Sequence, residues 1–244
     1  MKHIPNFITS LNLAVGFIAI TYTINGDLIT ASWLILAAMI FDFLDGFASR
    51  ILRAYSDMGK ELDSLADVVS FGVAPGLIIF SLLKEIFRVR DMFNISYSID
   101  TVLLFGISAL LPVCAGLRLA KFNTDDTQTT SFKGLPTPAF ALSVITVVFA
   151  GRYFDSAPIR FLTTSSIALM IFSVLLSGLM VSRIPMISLK FTNLKIRGNE
   201  GRYILIVVCT TMLLIMGFKS IPLIVPIYIV VSLFSLFFRP KPVA

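Results

Sequence analysis

Eight apolar runs succeed one another along the 244 residues, at about 7–25, 28–53, 63–87, 99–122, 136–154, 162–182, 203–218 and 221–238. A helix needs roughly 17–25 apolar residues to cross a bilayer. Inside hydrocarbon, where no water can satisfy the backbone, each segment must close its own hydrogen bonds. The pattern therefore predicts an all-α, polytopic membrane helical bundle of about eight transmembrane helices. The last two runs are short, but Lys219 and Ser220 divide them, and together they are too long for one crossing. With 57% hydrophobic and only 14% charged residues, the chain is not a soluble domain, and no nucleic-acid partner is expected. No internal repeat or low-complexity tract is visible. We read residues 1–244 as one domain, with a catalytic core over about 5–185 and additional helices over 200–244.

Basic residues set the expected orientation. Eight spans put both termini on one side. That side would hold Lys2, Arg50, Arg53, Lys60, Arg118, Lys121, Lys133, the 183–202 loop, Arg239 and Lys241, which makes 14 of the 20 Lys plus Arg residues. The other side keeps Lys84, Arg88, Arg90, Arg152, Arg160 and Lys219. An excess of Lys and Arg marks the cytoplasmic face, so both termini are expected there, in the cell (plasma) membrane. The net charge of +6 sits mainly on that face, where anionic headgroups and substrates are met. Met1 to Ile8 leads straight into the first run, and no cleavable signal is expected.

Four carboxylates break the apolar pattern. Asp42 and Asp45 lie three residues apart near the end of the second run, and Asp63 and Asp67 lie four apart at the start of the third. Such spacings bring side chains onto neighbouring turns of a helix. Arg53, Tyr55, Ser56, Asp57, Lys60 and Glu61 make the stretch between the pairs polar enough to be a turn. Four unneutralised carboxylates beside a membrane interior would repel one another and be costly to desolvate. Two divalent cations would neutralise them, and hard ions such as Mg²⁺ or Mn²⁺ prefer oxygen ligands. A salt-bridge network with Arg50, Arg53 and Lys60 leaves the paired helical register unexplained. A cation transporter would place its carboxylates near the bilayer midplane in broken helices, whereas these sit at the ends of runs. Metal-assisted phosphoryl transfer at the interface fits better.

Elsewhere polar residues are few. Ile4 to Thr9 is a short start that can lie along the interface, and Asn12 and Thr9 are read as capping or snorkelling residues as readily as substrate contacts. Ser70 to Gly76 contains two glycines and a proline, which permit close packing or a kink. Arg118, Asn123 and Lys133 approach the face that carries the aspartates. Pro136 and Pro138 suit a helix start, where a missing N–H costs nothing. Cys114 and Cys209 lie in separate runs without metal-ligand spacing. The last two runs read as packing or oligomerisation helices, and a homodimer is expected.

The carboxylate region also resembles a known family. Asp42-x-x-Asp45-Gly46-x-x-Ser49-Arg50, eight residues, then Gly59-x-x-x-Asp63-x-x-x-Asp67 is similar to the signature of the CDP-alcohol phosphotransferases, integral membrane enzymes of phospholipid synthesis. Every position is filled, except that Ser49 stands where Ala is usual. The run from Asp63 to Pro75, the stretch Arg118 to Asn123 and the stretch Gly134 to Pro138 resemble the branch that uses serine as acceptor. The resemblance extends from Pro5 to roughly Phe140; beyond it only hydropathy speaks.

The resemblance implies transfer of the phosphatidyl group from CDP-diacylglycerol to L-serine, with release of CMP. Asp42, Asp45, Asp63 and Asp67 would hold two divalent metals around the diphosphate. Asp67 would also take the proton from the serine hydroxyl. Gly46, Ser49 and Gly59 would let the cytidine approach the backbone, and Arg50 would steady the charged region. A serine carboxylate needs a cation, and the Arg118 guanidinium can grip it with two parallel hydrogen bonds. Lys133 would add charge, and Asn123 would hold the amino-acid end. The alternatives are another acceptor (glycerol 3-phosphate or an inositol phosphate) or an ether-lipid donor. A covalent route through paired His and Lys is closed, since the one histidine is His3.

Overall fold

The computed structural model describes residues 3–89, 98–124, 132–154, 157–187 and 199–237. Helix α1 (His3–Ile24) turns through Gly26, at φ +84°, into α2 (Leu28–Ile51). Asp27 caps α2 by accepting the Thr30 N–H at 3.0 Å, and hydrogen bonds from the Thr30 side chain and N–H hold its carboxyl below the ordinary Asp range. Ser56 caps α3 (Asp57–Asp67) by accepting the Gly59 N–H at 3.0 Å. A π-helical turn (Val68–Val73) then carries the chain without a break into α4 (Ala74–Ile86). After α5 (Ile99–Thr124) come β1 (Phe132–Lys133), α6 (Thr137–Tyr153), α7 (Ala157–Thr164), α8 (Ser166–Val181), β2 (Pro185–Met186), α9 (Glu200–Met216), a 3₁₀ turn (Gly217–Ser220) and α10 (Ile221–Phe237).

All eight apolar runs are therefore helical. Four helices are long and apolar enough to cross a membrane: His3–Ile24, Leu28–Ile51, Asp57–Ile86 and Ile99–Thr124. A fifth span results if the bent pair Thr137–Tyr153 and Ala157–Thr164 counts as one. The remaining apolar helices are shorter, so length and composition show four or five crossings among the described residues. These helices make the chain an integral membrane protein. The third long helix begins at Asp57, not at Asp63, so both carboxylates of its pair lie inside it.

Lipid tails are as apolar as leucine, so helix association here depends on close fit. Gly16 of α1 lies against Ser70 of the π-turn, where an added Cβ would collide with Ser70 Oγ and stand 2.9 Å from its Cα. At Gly72 a Cβ would come 2.9 Å from that of Ala115 on α5, and at Gly76 it would be 3.2 Å from the Ser108 carbonyl. That carbonyl has no helical partner, because Pro112, four residues on, has no N–H. The glycines thus serve packing. The π-turn inserts one extra residue per turn and leaves Ser70, Phe71 and Gly72 all buried. Helix α1 packs on α2, α3, the π-turn and α4; α5 packs on α4, the π-turn and α8; α10 packs on α6, α9 and β2.

Candidate metal and nucleotide site

Helix α1 packs on both α2 and α3, which brings the two carboxylate-bearing helices together. One oxygen from each of Asp42, Asp63 and Asp67 lies within 4.8 Å of the other two. Octahedral coordination at about 2.1 Å puts ligand oxygens roughly 3–4.2 Å apart, so a small contraction would let all three hold one divalent cation. Asp67 is buried, and its Oδ1 has no hydrogen-bond partner, a state costly to keep without a cation or a proton. Its Oδ2 accepts the Thr137 hydroxyl at 3.4 Å. The residues fit a divalent cation.

Asp45 is not one of the three carboxylates whose oxygens meet within 4.8 Å. A three-residue step turns about 60° short of a full helical circle, and a four-residue step overshoots by about 40°, so a pair on one helix need not point to the same spot. Buried Asp45 lies beside Thr9 and lines a cavity of about 490 Å³ with Gly46, Ser49, Gly59 and Asp63. That volume is in the range of small-molecule sites. Its other walls are Pro5, Asn6 and Thr9 from α1, and Ala54 to Asp57 with Lys60. Gly46 is open, with Arg50 Nη2 3.8 Å from where its Cβ would be. At Gly59 a Cβ would come 2.9 Å from Asn6 Oδ1, so glycine lets α1 reach the first turn of α3. Ser49 donates its hydroxyl to the Gly46 carbonyl at 3.2 Å.

Arg118, buried on α5, lies within electrostatic reach of Asp67, and its Nε has no partner. Asn123 lies at the C-terminal end of α5. Its side-chain amide donates to Ser64 Oγ at 2.8 Å, and its backbone carbonyl accepts Lys60 Nζ at 3.1 Å. Asn123 thus ties the end of α5 to α3. Lys133 has its backbone in β1, and its side chain lies outside the described atoms.

Asn6 and Thr137 were given no role in the sequence, and Thr9 and Asn12 only an open one. Asn6 lies on helix α1 and lines the cavity, as does Thr9, whose hydroxyl donates to the Pro5 carbonyl at 3.0 Å. Thr137 reaches Asp67, and only its place next to the Gly134–Pro136 run could have pointed to it. Asn12 is fully buried in mid-helix, which rules out capping or snorkelling. Its carbonyl accepts Ser70 Oγ at 3.1 Å, while neither polar atom of its side chain has a partner.

Comparison with known proteins agrees with this geometry. The family description CDP-alcohol phosphatidyltransferase matches residues 2–179. The chain is 31% identical over 229 residues to the CDP-diacylglycerol–serine O-phosphatidyltransferase of Helicobacter pylori, covering 93% of this chain and 87% of that protein. Similarity to the Bacillus subtilis protein of the same name is 34% over 203 residues, covering 82% and 96%. The archaetidylserine synthase of Methanothermobacter thermautotrophicus is 33% identical over 152 residues, covering 62% and 59%. The chain belongs to the CDP-alcohol phosphatidyltransferase family.

Proposed function

We propose that this enzyme transfers the phosphatidyl group from CDP-diacylglycerol to L-serine, giving phosphatidylserine and CMP by a single displacement. One observation carries the reading: three carboxylates, Asp42, Asp63 and Asp67, converge, and Asp63 also lines the cavity that Gly46, Ser49 and Gly59 line. The names of the full-length relatives favour serine as the acceptor and a diacylglycerol donor over an ether lipid.

In this reading the diphosphate sits between the carboxylates and the cavity, with the cytidine against Gly46, Ser49 and Gly59 and Arg50 at the rim. Asp42, Asp63 and Asp67 would hold one divalent cation, and Asp45 with Asp63 would contribute to a second, Mg²⁺ or Mn²⁺. When bound, such ions neutralise the diphosphate and polarise the phosphorus under attack. The serine hydroxyl oxygen forms the new bond to the lipid-side phosphorus, and the bond from that phosphorus to CMP breaks. The hydroxyl proton passes to Asp67 Oδ1, the oxygen that Thr137 leaves open. Arg118 grips the serine carboxylate, Lys133 adds charge, and Asn123, which ties α5 to α3, holds the amino-acid end.

The same reading puts the site and both termini on the cytoplasmic side of the plasma membrane, with the shorter helices completing eight crossings and two copies forming a homodimer. Residues 1–244 act as one domain. The test is CMP release by purified protein given CDP-diacylglycerol, a divalent cation and a panel of alcohols. Serine should support turnover, and CDP-diacylglycerol alone should give no stoichiometric burst of CMP. Preference for glycerol 3-phosphate or an inositol phosphate would replace the acceptor. A burst, or a lipid-phosphorylated protein, would replace direct displacement by a covalent route.

A further inference from the structure

Helix α10 reads in sequence as an apolar packing element, yet two of its buried residues make directed hydrogen bonds. Tyr228 Oη donates to the Ile187 carbonyl at 3.0 Å, and the Ile187 N–H donates to Ser232 Oγ at 3.3 Å. Tyr228 and Ser232 are four residues apart and share one face of the helix. Together they satisfy both backbone groups of a single residue. Neither side chain is needed for packing alone, where phenylalanine and alanine would serve.

Ile187 directly follows β2, and β2 pairs antiparallel with β1, Phe132 opposite Met186 and Lys133 opposite Pro185. The next residue of that arm, Gly134, has φ +80° and donates its N–H to the Ile184 carbonyl at 2.8 Å. Leu135 donates to the Leu179 carbonyl at 2.9 Å. Two residues later Thr137 opens α6 and donates to Asp67 Oδ2. A two-stranded pairing is marginal on its own, so this clasp depends on what holds its outer arm. Tyr228 also lies within electrostatic reach of Arg118, the other group that acts on Asp67. Both α10 residues lie beyond residues 2–179, the span that matches the family description.

We propose that Tyr228 and Ser232 are positioning residues for the reaction at Asp67: α10 holds the Pro185–Ile187 arm, which fixes the Gly134–Thr137 segment so that the Thr137 hydroxyl meets the Asp67 carboxylate. The inference rests on the phosphatidyl-transfer reading only in that Asp67 is taken as the reacting carboxylate. It makes the C-terminal helices part of the working site.

The test uses full-length protein in detergent with four variants: Tyr228→Phe, Ser232→Ala, Thr137→Val and the double variant Tyr228→Phe/Thr137→Val. Loss of one hydrogen bond in the chain should lower kcat for serine transfer roughly 2- to 10-fold, with KM for CDP-diacylglycerol unchanged. Because the two positions act on one link, the double variant should be no slower than Thr137→Val alone. A second readout does not need turnover. The Mn²⁺ concentration that half-saturates thermal stabilisation should rise in Tyr228→Phe and in Ser232→Ala, and Ser232→Ala serves if Tyr228→Phe does not fold. A lowered thermal midpoint with unchanged kcat and unchanged Mn²⁺ response would make α10 a packing helix and overturn the proposal. Multiplied losses in the double variant would overturn the route through Thr137. If the parent protein releases no CMP with any acceptor, the phosphatidyl-transfer reading fails, and the Mn²⁺ response still decides whether α10 acts on Asp67.

Discussion

Asp67→Asn separates the metal-free protein from the metal-loaded one. The three carboxylate oxygens stand within 4.8 Å of one another. At an effective dielectric of about 20, two unit charges at that distance repel by about 3.5 kcal/mol. Asn at position 67 keeps the shape and can still accept the Thr137 hydroxyl, but it relieves two of the three repulsions, about 7 kcal/mol. That figure is a ceiling, since counter-ions and bound protons already share the load. One kcal/mol moves the midpoint of a chain of 150–250 residues by roughly 2–4 °C, so even a small share of the relief is readable. In EDTA, Asp67→Asn should melt higher than the parent. With saturating Mn²⁺ the order should invert, because the parent gains binding energy that the variant has lost. CMP release should fall by roughly 10²–10⁴-fold, the usual cost of losing a general base. The measurement is a thermal unfolding series in detergent, with and without Mn²⁺, beside a CMP assay. A variant that melts lower in EDTA and keeps the full Mn²⁺ response would refute a cation site built on Asp67.

Asp45→Asn, by contrast, should raise KM for CDP-diacylglycerol more than it weakens the first Mn²⁺ response, since Asp45 lines the cavity and stands outside the three-carboxylate group; equal loss in both would make it a joint ligand. Arg118→Lys keeps the charge and loses the two-pronged grip, so kcat/KM for serine should drop by about 1–3 kcal/mol while CDP-lipid kinetics hold; the opposite pattern assigns Arg118 to the donor. Asn12→Leu should raise the thermal midpoint, because apolar replacement of a buried amide without partners removes an unmet desolvation cost; a lower midpoint would mean the amide is satisfied in the membrane. Gly16→Val should abolish folded yield, since its side chain would occupy the space of Ser70, and normal yield would show that α1 and the π-turn can part.

The secondary structure was legible because hydrocarbon leaves a chain so little choice: every long apolar run became a helix. Its caps were local too, as at Asp27 and Ser56. The spacing of Asp42, Asp45, Asp63 and Asp67 likewise announced a carboxylate site, and the signature around it announced the family. Local periodicity fixes neither the length of a helix in the bilayer nor its rotation about its own axis. The helices after Tyr153 have at most 17 residues, and three aspartates met while Asp45 lined the cavity. Rotation was decided by contacts between helices, where Gly16, Gly72 and Gly76 let backbones approach until only one register fitted. The same contacts buried Asn12, gave Asn123 to Ser64, brought Thr137 to Asp67 and set Tyr228 against Ile187. Those pairs are 41 to 70 residues apart in sequence, so no window of local pattern contains both partners. The sequence by itself determined a membrane-embedded helical enzyme with a carboxylate centre. Only tertiary packing decided which side chains share that centre, because the contacts that choose them run between helices.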